Sequence, residues 1–129
     1  MSNIFTKIIE GEEPAHTIWE GNSIIAILDI APVNPGHILV IPYEEVEDIF
    51  DLDDSRYKDL WSVVTMLSKP LRVACSAPKI GIAVEGFGVP HVHIHMVPVY
   101  KPGDLNPQRA EISSENKLER MCQKIRDQL

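Results

Sequence analysis

Short hydrophobic segments bounded by turn-forming residues recur along the chain and predict a set of β-strands. Gly21-Asn22 separates two of these segments and is a residue pair typical of a tight hairpin turn. Two prolines and a glycine within residues 31–36 favour a loop. A strand is predicted after this loop, and Pro42 is expected to end it. The predicted strands cover residues 16–20, 23–29, 37–41 and 79–85, and a fifth strand lies within residues 89–99.

Two short helices are predicted near the ends of the chain, where apolar residues recur at three- and four-residue spacing. The first lies between a cap at Ser2-Asn3 and a stop at Gly11. Its apolar positions are Ile4, Phe5, Ile8 and Ile9. The last helix begins at Ser113 or Ser114. Its apolar positions are Leu118, Met121, Cys122 and Ile125.

A longer helix is predicted in the middle of the chain. Asp53 is its candidate cap, and apolar residues recur at helical spacing from Tyr57 to Ala74. Pro70 is expected to kink or end this helix near Lys69, because proline has no N–H and clashes with the preceding turn. Together the predicted elements indicate an α+β fold, with about five short antiparallel strands and helices packed on one face.

The composition indicates one globular domain and narrows the kinds of partner. A chain of 129 residues that is 44% hydrophobic and 24% charged can bury a core, so we expect one domain over residues 1–129. Its core covers about residues 3–100, followed by a helical extension over about residues 113–128. The net charge of −7 argues against nucleic-acid binding, which uses basic patches.

No membrane partner is expected, because no apolar run approaches the roughly eighteen residues of a membrane span. The first residues also lack the basic start and long apolar core of a signal peptide. Cys75 and Cys122 lie far apart in the chain, which suggests neither a disulfide framework nor a zinc knuckle. These features predict a cytoplasmic protein with two reduced thiols.

Three of the five histidines, His91, His93 and His95, alternate with Val92 and Ile94. Successive side chains of a strand point to opposite faces, so this spacing places all three imidazoles on one face. Half-buried strand residues with satisfied hydrogen bonds would be the purely structural interpretation. Three histidines in register favour a functional site instead, since both protonation states of imidazole are accessible near pH 7.

Aligned imidazoles suit chemistry at phosphorus. A neutral imidazole is a competent nucleophile toward a phosphoryl group, and water can later attack the resulting N–P bond. The reaction also needs a partner that fixes the tautomer and donors for the phosphate oxygens. Gly86 and Gly88 lie just upstream and allow backbone N–H groups to approach an anion. Any such cradle ends at Val89, because Pro90 has no N–H.

Metal binding is the competing chemistry for this motif. Two histidines separated by one residue on a strand can place two nitrogens on one ion. A further ligand would have to come from His37, Glu85 or Asp29. The sequence has no helical pair of histidines at four-residue spacing, and we expect no metal.

Three segments together resemble the histidine triad (HIT) family of nucleotide-binding proteins. The run HVHIHMV at residues 91–97 matches the family signature, in which histidines alternate with hydrophobic residues. FTKIIEGEEPA at residues 5–15 is similar to the family's amino-terminal segment. LDIAPVNPGHILVIP at residues 28–42 is similar to its central strand, loop and strand. The similarity extends from about Asn3 to Tyr100.

The resemblance implies that His93 is the nucleophile and forms a nucleotidyl-histidine intermediate, while His95 donates hydrogen bonds to the phosphate or leaving group. His91 and His37 correspond to a supporting hydrogen-bond network, and Asp29 to the acceptor of the ribose hydroxyls. The residues that match the apolar base pocket are Ile4, Phe5, Ile8, Ile27, Ile30 and Leu39. For Ile8 and Ile27, core packing is an equally open interpretation.

The resemblance also implies a purine nucleotide substrate, catalysis without a metal or other cofactor, and a homodimer whose two sheets join. Three departures from the family pattern are visible. The phosphate loop is Gly86-Phe87-Gly88-Val89, where many members have a polar pair that contacts phosphate oxygens or the leaving group. The family's asparagine on the preceding strand has no counterpart, and the anionic Glu85 lies nearest. The Cys-x-x-Cys of zinc-containing members is Asn-Ile-Phe-Thr at residues 3–6.

The leading prediction is a hydrolase that acts on the α-phosphate of nucleoside phosphoramidates or dinucleoside polyphosphates and releases a nucleoside monophosphate. A nucleotidyl transferase that uses the same intermediate is the alternative enzyme. Loss of the polar pair from the loop keeps open a third interpretation, a non-catalytic nucleotide-binding homodimer.

Overall fold

The computed structural model describes residues 3–129 and has five strands and three α-helices, with the element order α1-β1-β2-β3-α2-β4-β5-α3. The helices are α1 (Ile4–Ile9), α2 (Asp54–Cys75) and α3 (Glu115–Arg126). The strands are β1 (Thr17–Glu20), β2 (Ile24–Leu28), β3 (Ile38–Pro42), β4 (Lys79–Ala83) and β5 (Ile94–Val99). Two short 3₁₀ helices cover Ile49–Asp51 and Pro107–Arg109.

All strand pairs in the sheet are antiparallel, and the spatial order is β1-β2-β3-β5-β4. This architecture confirms the predicted α+β fold class. β5 lies between β3 and β4, and His95 is paired with Leu39 on one side and Ala83 on the other. His95 therefore lies on a strand that is paired on both sides, next to the edge strand β4.

Alternation along the strands divides the core between the two faces of the sheet. The even-numbered residues of β2 and β3, such as Ala26 and Val40, are packed in one cluster with α2 and α3. The odd-numbered residues, such as Ile27 and Leu39, form a smaller cluster with Phe5 of α1 on the other face. The prediction that the helices pack on one face of the sheet is therefore confirmed for α2 and α3. α1 lies on the other face.

Local capping explains where the helices begin. Asn3, Asp53 and Ser114 cap α1, α2 and α3 through their side-chain oxygens, as the sequence predicts. Ser2, the other half of the predicted first cap, lies outside the described residues. Gly11 follows α1 with a φ of 80°, a left-handed conformation that favours glycine.

The long helix was expected to kink or end near Lys69, before Pro70. It does not end there, because α2 continues to Cys75. Leu71 and Ala74 beyond the proline are both buried in the core. Packing of this last stretch offsets the lost backbone hydrogen bond, so tertiary contacts override the local preference.

Two strand boundaries also differ from the prediction. Pro42, which was expected to stop the third strand after residue 41, is the last residue of β3. β5 begins at Ile94, so His91 and His93 precede the strand that was expected to contain them. Pro90 has no N–H, and the amide of Val92 donates to Val46 O in place of a neighbouring strand. None of the helices within residues 3–129 has both the length and the apolar character needed to span a bilayer.

Candidate active site

The three histidines of the motif lie on one face of the sheet although two of them precede β5. Val92, Ile94 and Met96 are packed in the core with α2 and α3, so the alternating imidazoles face the opposite side. The ring centroids of His93 and His95 are 4.8 Å apart. Phe5 of α1 is packed edge-on against His91 and His93, with centroid distances of 5.8 and 4.9 Å.

His93 is held by the backbone of the motif itself. Its Nδ1 lies 2.7 Å from the carbonyl oxygen of His91, so Nδ1 carries the proton and donates. Nε2 of the neutral ring is then an unprotonated nitrogen with a free lone pair. Burial lowers the pKa of His93, and the hydrogen bond to the backbone opposes this effect in part. The arrangement therefore presents a neutral imidazole with a basic Nε2.

A chain of hydrogen bonds orients His95 in the complementary way. The amide of Val33 donates to His37 Nδ1 at 3.1 Å, so the proton of neutral His37 is on Nε2. His37 Nε2 lies 2.9 Å from His95 Nδ1 and donates to it. His95 must then carry its own proton on Nε2. Beside the basic nitrogen of His93, the site thus has an N–H donor on His95.

Burial also fixes the protonation state of this pair. The pKa of His95 is lowered from 6.5 to about 4, mainly by burial and further by the nearby rings of His93 and His37. Burial lowers the pKa of His37 as well, although the neighbouring Asp29 carboxylate opposes the shift. Both rings are neutral at neutral pH, which is consistent with the hydrogen-bond directions above.

His91 is fully buried and has a supporting position. Its Nε2 donates to the carbonyl oxygen of Pro42 at 2.7 Å, and its Nδ1 lies 3.1 Å from Asn3 Nδ2. Asn3 is a site residue that sequence reasoning missed, since it was predicted only as a helix cap. No local pattern signals this contact, because 88 positions of chain separate the two residues.

Asp29 lies at the end of β2, next to the His37–His95 pair. Its Oδ1 accepts from the amide of Ala31 at 2.9 Å, and its Oδ2 lies 3.7 Å from His37 Nε2. Ligand-capable atoms of Asp29, His37 and His95 all lie within 4.8 Å of one another and could hold a metal. The two facing ring nitrogens already share a proton, however, so an ion would have to displace it.

A cavity of about 350 Å³ brings most of the predicted polar residues together. Its lining includes Asp29, His37, His93, His95 and the loop residues Gly86, Phe87 and Gly88. Glu85, which the sequence places just before the loop, also lines it. Leu105, Pro107 and Ala110 form another part of the wall and were not predicted.

In the loop between β4 and β5, the backbone requires a glycine at Gly86 but not at Gly88. Gly86 has a φ of 83°, and a Cβ there would lie 3.1 Å from Glu47 O. Phe87 is 90% exposed, and a Cβ on Gly88 would meet nothing within 4 Å. Val89 is partly buried against the α1 side of the core and does not line the cavity.

The residues predicted for the apolar base pocket do not line this cavity. Phe5, Ile27 and Leu39 are buried in the cluster beneath α1, and Ile8 is packed against that cluster. Ile4 and Ile30 are exposed. The cavity thus brings together most of the predicted polar residues, while the predicted apolar residues lie outside its lining and Phe5 is packed against His93.

Comparison with known proteins assigns the class. Residues 10–102 match the family model of the HIT domain, a span that includes the three histidines and the loop before them. The chain therefore belongs to the histidine triad (HIT) family.

Individual relatives agree with this assignment. The chain is similar to Protein hit of Bacillus subtilis, with 31% identity over 106 residues that cover 78% of this chain and 73% of the relative. It is also 34% identical over 110 residues to adenosine 5'-monophosphoramidase hnt1 of Schizosaccharomyces pombe, covering 81% and 77% of the two chains. A crystal structure of a Hit-like protein from Bartonella henselae superposes with a TM-score of 0.86 and 29% identity, covering 99% and 96%.

Proposed function

We propose that this protein is a nucleotide hydrolase that cleaves nucleoside phosphoramidates at the α-phosphate through a nucleotidyl intermediate on His93. The observation that carries the proposal is the pair of adjacent imidazoles with opposite hydrogen-bonding character. The neutral His93 has a basic Nε2, and the neutral His95 has an Nε2–H donor, with both rings lining the same cavity.

In the first step His93 Nε2 attacks the α-phosphorus, an Nε2–P bond forms, and the bond from phosphorus to the amine nitrogen breaks. The amine nitrogen takes up a proton from solvent as it leaves, and His95 Nε2–H supports the step by donating a hydrogen bond to the phosphate or leaving group. In the second step water attacks phosphorus and loses a proton to solvent, the Nε2–P bond breaks, and a nucleoside monophosphate is released. The net reaction consumes one water and yields a monophosphate and an amine.

The proposed substrate is a purine nucleotide whose ribose hydroxyls donate to Asp29. The Oδ1 atom of this carboxylate accepts from Ala31, and Oδ2 offers further acceptor capacity at the cavity. The similarity to a relative named as an adenosine 5'-monophosphoramidase supports phosphoramidates as the substrate class. The loop lacks side-chain donors for additional phosphates, which places dinucleoside polyphosphates second.

We also propose a homodimer that forms through β4. This strand is at one edge of the sheet, so its outer backbone groups have no strand partner within residues 3–129. Ile82 on β4 is exposed. The neighbouring α2 exposes Met66 and Val73, which lie about two helical turns apart. Cytoplasmic location, and the lack of nucleic-acid and membrane partners, stay predictions from composition.

His93→Asn tests the proposed function. We expect turnover of adenosine phosphoramidate to fall by several orders of magnitude while nucleotide binding survives, because no neighbouring group can replace a covalent nucleophile. Mass spectrometry of enzyme quenched with labelled substrate should find the nucleotidyl adduct on His93 of the wild type only. Excess chelator should leave the wild-type rate unchanged.

His16→Asn is the matched control, since His16 is the one histidine outside the site and is paired with Glu115. It should keep full activity. A His93→Asn protein that retains more than about a tenth of the wild-type rate would overturn the assignment. Transfer of the nucleotide to an acceptor phosphate would instead indicate the transferase, and tight binding without turnover the non-catalytic binder.

A further inference from the structure

The side chain of Asn3 uses all of its hydrogen-bonding groups to join α1 to the histidine motif. Its Oδ1 accepts from the amide of Thr6 at 2.9 Å, which caps α1. Its Nδ2 carries two hydrogens, one directed to Glu45 Oε1 at 2.9 Å and the other to His91 Nδ1 at 3.1 Å. Three segments that are distant in sequence therefore meet at one amide.

These contacts select one state of His91. Asn3 Nδ2 is only a donor, so His91 Nδ1 must accept and carry no proton. His91 Nε2 faces the carbonyl oxygen of Pro42 at 2.7 Å and must donate. Only the neutral tautomer with the proton on Nε2 satisfies both partners, and His91 is fully buried, so no water competes for the ring.

The backbone of the same residue orients the proposed nucleophile. The carbonyl oxygen of His91 accepts from His93 Nδ1 at 2.7 Å, and this bond leaves His93 Nε2 free. Because both ring nitrogens of His91 are hydrogen-bonded, the residue that carries this carbonyl is anchored on the side of its ring. Phe5, two residues from Asn3 along the chain, is packed against both rings and completes the support.

We propose that Asn3 is a positioning residue for the reaction, which fixes the tautomer of His91 and thereby the orientation of His93. The predicted effect on the rate rests on the proposed function, in which His93 is the nucleophile. The predicted tautomer of His91 does not depend on that function. Among the residues that cap helices well, aspartate and serine lack the N–H donor that His91 requires. Helix capping alone would therefore accept either of them at this position.

Asn3→Asp separates the two roles. The carboxylate keeps the cap on α1, so we expect the melting temperature to change little. It cannot donate to His91, so Nδ1 of that ring should become protonated in the variant. Nitrogen-15 NMR of the imidazoles measures this directly. We expect kcat to fall about five- to ten-fold with KM nearly unchanged, as for the loss of one oriented hydrogen bond.

Three further variants isolate the donor from the added charge. Glu45→Gln removes a carboxylate beside Asn3 but keeps the donor to His91, so the tautomer should be that of the wild type. Asn22→Asp adds the same charge at an exposed position of the hairpin turn and should change neither readout. The double variant Asn3→Asp with Glu45→Gln removes repulsion between two adjacent carboxylates and should still show a protonated Nδ1.

The two measurements give distinguishable failures. If His91 Nδ1 stays unprotonated in Asn3→Asp, or if Glu45→Gln shifts it equally, the inference about Asn3 is overturned. If Nδ1 becomes protonated but kcat stays within about two-fold of the wild type, Asn3 is only a structural residue and the proposal is also overturned. A wild type with the expected tautomer but no turnover would overturn the proposed function and support the tautomer assignment alone.

Discussion

Burial sets the protonation state of the two histidines that share the cavity. The low pKa of His95, about 4, keeps its ring neutral far below the pH at which a free histidine is protonated. The pKa of His93 is shifted in the same direction, again mainly by burial. In the proposed reaction, a phosphoryl group would meet an uncharged nucleophile and an uncharged donor, and a proton would not compete for His93 Nε2 at neutral pH.

The acid side of the rate profile should reflect this shift. Protonation of His93 removes the lone pair that attacks phosphorus, so kcat/KM falls as the pH drops through the pKa of that ring. Since burial lowers this pKa below 6.5, the loss of activity should begin at a lower pH than for a free histidine. A pH–rate profile with a phosphoramidate substrate measures it. A half-maximal point at or above pH 6.5 would contradict the assigned electrostatics.

The sequence predicts the common face of the histidines but not which ring nitrogens carry protons. The alternation of His91, His93 and His95 with hydrophobic residues was enough to predict that the rings share one face. The position of each proton depends on the amide of Val33 and the carbonyl of His91, which the loop conformations place. Side-chain spacing carries no information on these backbone groups, so the acid and base characters could not be predicted from the residues alone.

Among the structural elements, the loop between β4 and β5 decides which hydrogen-bond donors the cavity would have for a bound phosphate chain. Phe87 and Gly88 provide no side-chain donor, and Glu85 adds a carboxylate to the lining. Each charge-assisted hydrogen bond missing in the transition state costs roughly 1.5–3 kcal/mol, or about one to two decades of rate. A long phosphate leaving group depends on such donors more than a small amine does.

We therefore expect the wild type to prefer phosphoramidates over diadenosine polyphosphates in kcat/KM. The double substitution Phe87→Gln and Gly88→Ser should narrow the difference by about one to two decades, because it supplies two donors. Gly88 accommodates a side chain, since a Cβ there meets nothing within 4 Å. Phe87→Ala, which removes the ring without adding a donor, is the control and should leave the preference unchanged.

Both substrate classes are measured on all three proteins. A wild type that is faster on the polyphosphate would show that the loop does not limit the leaving group. An unchanged preference in the double variant, with its fold intact, would point to Glu85 or another part of the wall as the determinant.

Elements were predicted well where one local signal dominated. Capping residues and apolar spacing placed all three helices, and the Gly21-Asn22 pair placed the first hairpin. The errors arose where distant contacts decided the outcome. α2 continues past Pro70 because Leu71 is buried in the core. β5 begins only at Ile94 because the amide of Val92 donates to Val46 O. The local sequence shows neither the packing of Leu71 nor the contact with Val46.

In the whole molecule, the strand order assembles the site from segments that are distant in sequence. β5 lies between β3 and β4, so the histidines are close to the loop after β4 and to the loop that precedes β3. α1 closes the other side through Asn3 and Phe5. The same order leaves β4 at the edge of the sheet, directly before the loop that lines the cavity. An interface on β4 would thus support the site as well as join two chains.

The proposed homodimer is tested at Ile82, which is 37% exposed at the centre of the proposed interface. We expect light scattering after size-exclusion chromatography to give about twice the chain mass of 14.5 kDa for the wild type. Ile82→Lys should give the mass of one chain, because a buried ammonium opposes pairing of two β4 edges. Ile112→Lys, at an exposed isoleucine outside the sheet, is the control and should remain dimeric. If the wild type has the mass of one chain at concentrations well above those used in the assay, the dimer is ruled out. If the Ile82→Lys protein keeps the mass of a dimer, the interface does not lie on β4.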